Sequence, residues 1–283
     1  MTVMPNALLF VGTAVATFVV LLLASAILSR LFVARSIRKL IASVGRERLP
    51  NFSNERTNGL PEPVQRYLAY ALRQGQPNIR YGVLRQHAEF RHGPERPWFS
   101  VKATEVISGM EPAFVWDAVL RHNKAWWRTA KLSYVAGQGS GHIKLYGAVT
   151  LQEVEGPETD VSMLFRFLSE LVWVPTGLLP TKTLRWNPID ANTAQAVITD
   201  GTTTVTADFH VNEAGQVDRI TTKSKYRDLK SGFEQIAFTM ECSGYESVEG
   251  VMIPMRVNFV WNMPGGDFTY GKFTLDAVSY VYD

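Results

Sequence analysis

The sequence predicts an α+β fold, mainly antiparallel β: a large curved sheet or half-barrel covered by one or two helices, preceded by a single N-terminal transmembrane helix. Three observations predict it. Residues 7–28 form one uncharged apolar run. Residues 61–72 and 161–173 carry apolar side chains at helical spacing. Most of the remainder is rich in Val, Thr, Tyr and Trp and is cut by turn residues at short intervals. The chain has 283 residues, 46% of them apolar, enough for a large core and unlike a disordered protein.

The apolar run comes first. At ~1.5 Å per residue, 22 residues make a helix of ~33 Å, against a hydrocarbon core of ~30 Å. A lone span must satisfy its own backbone, so it must be a helix. Ala24-Ser25-Ala26 has the small-x-small pattern of a signal-peptide cleavage site, but no Lys or Arg precedes the run, and the run exceeds the usual ~7–15 residues of a signal core. We read an anchor. Arg30, Arg35, Arg38, Lys39, Arg46 and Arg48 all follow it. The positive-inside rule then places residues 29–283 in the cytoplasm. Residues 1–50 carry net +5 and residues 51–283 net −2, which argues against a nucleic-acid-binding body. The single Cys242 excludes an internal disulfide and paired-cysteine zinc sites. The organisation expected is an anchor over 1–29, a basic juxtamembrane helix and linker over 30–59, and a β-rich domain over 60–283.

That domain opens on Pro61-Glu62-Pro63, with Val64, Tyr67, Leu68, Ala71 and Leu72 on one helical face and Gly75 as a stop. Strands are expected at 80–91 and 98–108. Pairing across the intervening turn sets Arg85 against Thr104, His87 against Lys102, Ala88 against Val101, Glu89 against Ser100, Phe90 against Phe99 and Arg91 against Trp98. Further strands are expected at 113–121, 124–135, 142–154, 183–186, 194–199, 203–211, 217–227, 236–248, 252–262 and 267–282. Gly137-Gln-Gly-Ser-Gly141 lies between strands and reads as a turn or bulge. Asp160 is placed to cap a helix from Val161 to Trp173, ended by Pro175.

Chemistry is sparse. There is no phosphate loop, HExxH, HxH or GxSxG motif. No metal ligand set and no cofactor are expected. Asp208 and His210 share one side of a strand, as do His87 and Glu89, and both pairs read as a solvated face. Arg166 and Glu170 stand one turn apart, beside Trp173 and an apolar loop, so with Trp116 they are the candidate ligand-binding residues. Of the seven tryptophans most should be core, but adjacent Trp126 and Trp127 point to opposite strand faces, and one is expected to be exposed near the membrane.

Leu60-Pro-Glu-Pro-Val-Gln-Arg-Tyr-Leu68, Phe114-x-Trp116-x-Ala118, Tyr134 before the glycine cluster, and Arg166-Phe-Leu-Ser-Glu170-x-x-Trp173-x-Pro175-x-x-Leu-Leu179 resemble an uncharacterised bacterial family of membrane-anchored domains of unknown function. The resemblance covers residues 60–282 and implies no activity. Gly177 departs from the alanine expected there. The C-terminal strands, entered through Gly250-Val-Met-Ile-Pro254, are similar in architecture to half-barrel lipoprotein carriers, which implies a fold and conflicts with a cytoplasmic location. The leading expectation is a lipid or other lipophilic ligand bound at the bilayer surface. A hydrolase built on Asp208/His210 or Arg166/Glu170 and a scaffold for an unknown protein partner are the alternatives.

Overall fold

The computed structural model describes residues 4–45, 49–123, 126–229 and 232–283, with side chains from Leu9 onward. Arg46 and Arg48 of the basic flank and Lys124 of an expected strand lie outside the described residues. Among the described residues there are three α-helices: α1 (Met4–Ser43), α2 (Glu62–Ala71) and α3 (Pro157–Glu170). Short 3-10 turns occupy Asn54–Thr57, Leu171–Trp173 and Pro175–Leu178. The strands are β1 (Ile79–Phe90), β2 (Phe99–Ser108), β3 (Phe114–Arg121), β4 (Trp127–Val135), β5 (Gln138–Leu145), β6 (Val149–Glu155), β7 (Leu184–Pro188), β8 (Thr193–Asp200), β9 (Thr203–Val211), β10 (Val217–Leu229), β11 (Gly232–Val248), β12 (Val251–Met263) and β13 (Gly266–Tyr282).

All thirteen strands form one antiparallel sheet, ordered β6-β5-β4-β3-β2-β1-β13-β12-β11-β10-β9-β8-β7. It is the expected half-barrel. Successive strands are joined by hairpins, except where α3 carries the chain from edge strand β6 to edge strand β7, and where β13 closes onto β1. The β1–β2 register is the one expected, from Arg85 opposite Thr104 to Phe90 opposite Phe99. Alternation fixes it: Leu84, Ala88, Val101 and Ala103 are buried on the concave face, while Arg85, His87, Lys102 and Thr104 point away.

Three expectations need correction. The strand expected over 142–154 is two strands, split at Tyr146 and Gly147. Both take left-handed backbone, at φ 54° and 72°, as a tight hairpin turn requires. Within the glycine cluster only Gly137 turns, at φ 79°, while Gly139 and Gly141 belong to β5. There Gly139 admits α3: a side chain at that position would place its Cβ 2.7 Å from the Thr159 carbonyl oxygen. Asp160 does not cap the helix. It lies inside α3, which begins at Pro157, and its Oδ1 accepts the Gly139 N–H at 2.6 Å, pinning the helix to β5.

Two helices fill the concave side. α3 crosses it from β4–β6 to β9 and β10, and α2 packs on β8, β9 and β12. The main core lies between them and the sheet, built on Tyr67, Trp116, Tyr134, Phe165, Phe209 and Phe238. Phe52, N-terminal to α2, joins it. α1 lies outside, on the convex face, where Leu40 and Val44 pack on Val106, Ala113 and Val115.

Candidate functional site

The inward residues of β2 read Phe99, Val101, Ala103, Glu105 and Ile107. One carboxylate is thus carried into an apolar row. Glu105 is fully buried, as is Glu170 on α3. Between them sits Arg166, one helical turn before Glu170. Its Nε donates to Glu170 Oε1 at 2.8 Å, and its Nη2 lies 3.7 Å from Glu105 Oε1. Gln86 of β1 donates through Nε2 to Glu105 Oε2 at 3.1 Å and accepts from Trp116 Nε1 at 3.0 Å. The Arg166 guanidinium lies 5.0 Å from the Phe114 and Trp116 ring centres.

The cluster is incompletely satisfied. Glu105 Oε1, Arg166 Nη2 and Glu170 Oε2 are buried without a hydrogen-bond partner. Unpaired buried polar atoms each cost about 1–3 kcal/mol, more when charged. Burial, and then the Glu170 carboxylate beside it, raise the Glu105 pKa well above the ordinary carboxylate value, with Arg166 opposing. Burial thus favours the neutral form of the Glu105 carboxyl.

Lys225 faces the same centre from β10. A register shift between Thr222 and Lys225 turns its side chain inward. The ammonium lies over Phe238 at 4.0 Å, with Phe165 at 5.3 Å and Trp261 at 5.7 Å. Among the described residues it has neither a hydrogen bond nor an ion pair. Burial, then Arg166, push its pKa down to about 7. From this bed an aromatic row runs through Trp261, Tyr270, Phe259 and Phe273 to Phe90, with neighbouring ring centres 4.9–6.0 Å apart. Phe90 and Tyr270 are half-buried.

Of the residues singled out from sequence, Trp116, Arg166 and Glu170 come together here. Trp173 stands apart: its Nε1 donates to the Pro254 carbonyl at 3.0 Å and its own carbonyl accepts from Tyr280 Oη at 2.8 Å. Glu105, Gln86, Lys225 and Tyr270 were not singled out. Asp208 and His210 do not meet: Asp208 accepts from Gln195 at 3.0 Å, and His210 contacts Thr193 at 3.3 Å and Thr221 at 3.2 Å. His87 pairs with Asp276 at 2.6 Å rather than with Glu89. On the convex face, His142, Glu153 and Glu155 bring potential metal-ligand atoms within 4.8 Å of one another, with both carboxylates exposed. His142 Nδ1 already lies 3.4 Å from Glu153.

Two solved structures show a limited likeness to this chain. A LolA-superfamily protein from Nitrosomonas europaea is 11% identical, covers 78% of this chain and 92% of its own length, and superposes with a TM-score of 0.42. A DUF1329-family protein from Desulfovibrio piger is 10% identical, covers 71% of this chain and 86% of its own, and reaches 0.41. Likeness at that level says nothing about what this chain binds. No curated protein matches it in sequence. The match that does place it spans residues 50–273, nearly the whole half-barrel and all of the buried cluster: the chain belongs to the family of unknown function DUF6544.

Proposed function

We propose that this protein is a membrane-tethered half-barrel that binds one lipophilic molecule bearing an anionic head. The head lies against Lys225 and Arg166, and the tail follows the aromatic row on the concave face. The observation that carries this reading is the Lys225 ammonium on its aromatic bed, with neither a hydrogen bond nor an ion pair among the described residues, beside the buried Arg166. Folding alone gains nothing from such an arrangement. Arg166 and Lys225 bring two basic side chains to a centre where burial raises the Glu105 pKa, and an anionic head complements them. Phe165, Phe238 and Trp261 supply the apolar surface that a chain beside that anion needs.

The tether is α1, the one helix among the described residues long and apolar enough to cross a membrane. We read residues 7–28 as the span and, from the basic residues after it, residues 29–283 as cytoplasmic. Continuity favours an anchor over a cleaved leader, because the same helix runs unbroken from Met4 to its seat on the sheet at Leu40 and Val44.

Native mass spectrometry of the full-length chain released from detergent micelles tests the reading. One amphiphile per chain is expected. Its occupancy should fall as pH rises above about 7, where Lys225 loses its charge, and Lys225→Ala should release it at every pH. A folded wild-type chain that carries no amphiphile refutes the proposal.

A further inference from the structure

The seat of α1 fixes where a membrane would lie. From its C-terminal end, the helix packs Leu40 and Val44 on β2 and β3. One turn further back, Ser36 Oγ accepts from Lys131 Nζ of β4 at 2.7 Å. Phe32 then lies against Lys131 and His142, with ring distances of 3.9 and 5.7 Å. The last contact is at the β5–β6 turn, where Ser25 Oγ donates to the Ala148 carbonyl at 3.3 Å. Beyond Ser25 the helix is bare: Phe10, Val15, Phe18, Val20 and Leu23 are all exposed. The bare stretch therefore starts level with the turns of the β3–β4 and β5–β6 hairpins.

Those turns carry the side chains a bilayer boundary takes. Tyr146 stacks on Trp126 at 5.9 Å and meets Trp127 edge-on at 5.5 Å. Trp126 and Val149 are each 54% exposed and Leu151 is 50% exposed, although they are among the most apolar side chains outside α1. Around them stand exposed Arg121 and half-buried Arg128 and Lys144, and the adjoining β1–β2 turn adds exposed Arg96 against the carboxylate of Glu95. Arg128 also touches His92 and His122, which joins the β1–β2 turn to the same surface.

We propose that this end of the sheet docks onto the lipid bilayer, with Trp126, Tyr146 and Val149 at the headgroup–acyl boundary and the arginines on anionic headgroups. The proposal rests on the reading of residues 7–28 as a span. The occupant follows from continuity with the bare helix and from the excess of basic side chains at the rim. One consequence concerns the ligand. His122 packs on Phe99 at 4.2 Å and Phe99 on Phe90 at 6.2 Å, so the aromatic row leading to Lys225 begins at the docked turns. An amphiphile would enter from the bilayer without crossing water.

The test uses the full chain in nanodiscs of phosphatidylcholine with phosphatidylglycerol. An environment-sensitive fluorophore is placed at Val149→Cys, with Glu213→Cys in the β9–β10 turn as the control. Both sites are exposed, whereas native Cys242 is buried and its pKa is raised, so it stays unlabelled. Lipids carrying a nitroxide near the headgroup should quench the Val149 probe several-fold more than the Glu213 probe. Adding Trp126→Glu should reduce that difference while the far-ultraviolet circular dichroism stays unchanged. Equal, weak quenching at both sites in disc-bound protein overturns the docking and leaves the span intact. A chain that carbonate washing frees from cell membranes overturns the span, and the docking with it.

Discussion

Each face of the sheet sets a lysine under a helix and against aromatic rings, Lys131 buried and Lys225 half-buried, and the two are resolved differently. On the convex face, Lys131 donates to Ser36 at 2.7 Å, lies 3.9 Å over Phe32 and is drawn by Asp117; burial still pushes its pKa down to about 8. On the concave face, Lys225 has rings only as direct contacts, and its pKa is lowered by burial and by Arg166, with Glu170 opposing. The protein completes the shell of the first and leaves the second open. A seat for a helix needs internal satisfaction, because nothing else will arrive. A ligand site needs a deficit, because the ligand supplies the rest.

The sharpest way to break this comparison is to remove one cation from each face. Arg166→Met leaves Glu105 and Glu170 buried opposite each other with no cation between them. Breaking a buried ion pair in this way costs about 3–5 kcal/mol. Lys131→Met on the convex face removes a desolvated charge whose partners are a hydroxyl, a ring and the half-buried, water-accessible Asp117, so its cost should be smaller. Urea unfolding of the two full-length variants in one detergent measures both. Equal losses would mean that the concave cluster is ordinary core and the contrast false.

The contrast was only half legible in the sequence. Strand alternation gave the β1–β2 register, and the i,i+4 spacing gave the Arg166–Glu170 pair. Glu105 could have been found: an acid at an inward position between Ala103 and Ile107 is the anomaly that alternation exposes. Lys225 could not. Its inward direction depends on a register shift after Thr222, and no local residue type announces one there. The turn at Tyr146 was missed for a related reason, since tyrosine is a poor signal for left-handed backbone. Trp173 marks the opposite limit: sequence places it next to Glu170, but the 3-10 turn after α3 sends its indole to Pro254 instead.

A second prediction sharpens the concave side through pH. Glu105 has a raised folded pKa, so its stabilising contribution is full below the ordinary carboxylate pKa and is lost as pH rises through the folded value. Glu105→Gln fixes the neutral form and can still accept the Gln86 donor. The wild-type chain should therefore lose stability relative to this variant as pH rises above the ordinary carboxylate range, by up to ~1.4 kcal/mol per pH unit for one proton. Melting temperatures of both proteins across pH 5–9 give the difference directly. Parallel curves would show that Glu105 is ionised in the fold and that the charge balance favouring an anion is wrong.

The smallest effect belongs to the convex face. Ser36→Ala removes the acceptor of the Lys131 ammonium and nothing else that α1 uses against the sheet. A hydrogen bond to a charged group is ordinarily worth about 1.5–3 kcal/mol. Here the loss should stay below about 1 kcal/mol, because Lys131 lines two clefts of about 380–390 Å³ each between α1 and the sheet, room for water to take the vacated position. The helix should also keep its place through Leu40 and Val44, which do not depend on the lysine. Hydrogen exchange along α1 distinguishes the outcomes. A modest rise in exchange near Ser36 alone fits a satisfied, water-backed seat. Loss of protection through to Val44 would mean that the lysine holds the helix down, and that the convex face stores as much of its stability in one polar contact as the concave face does.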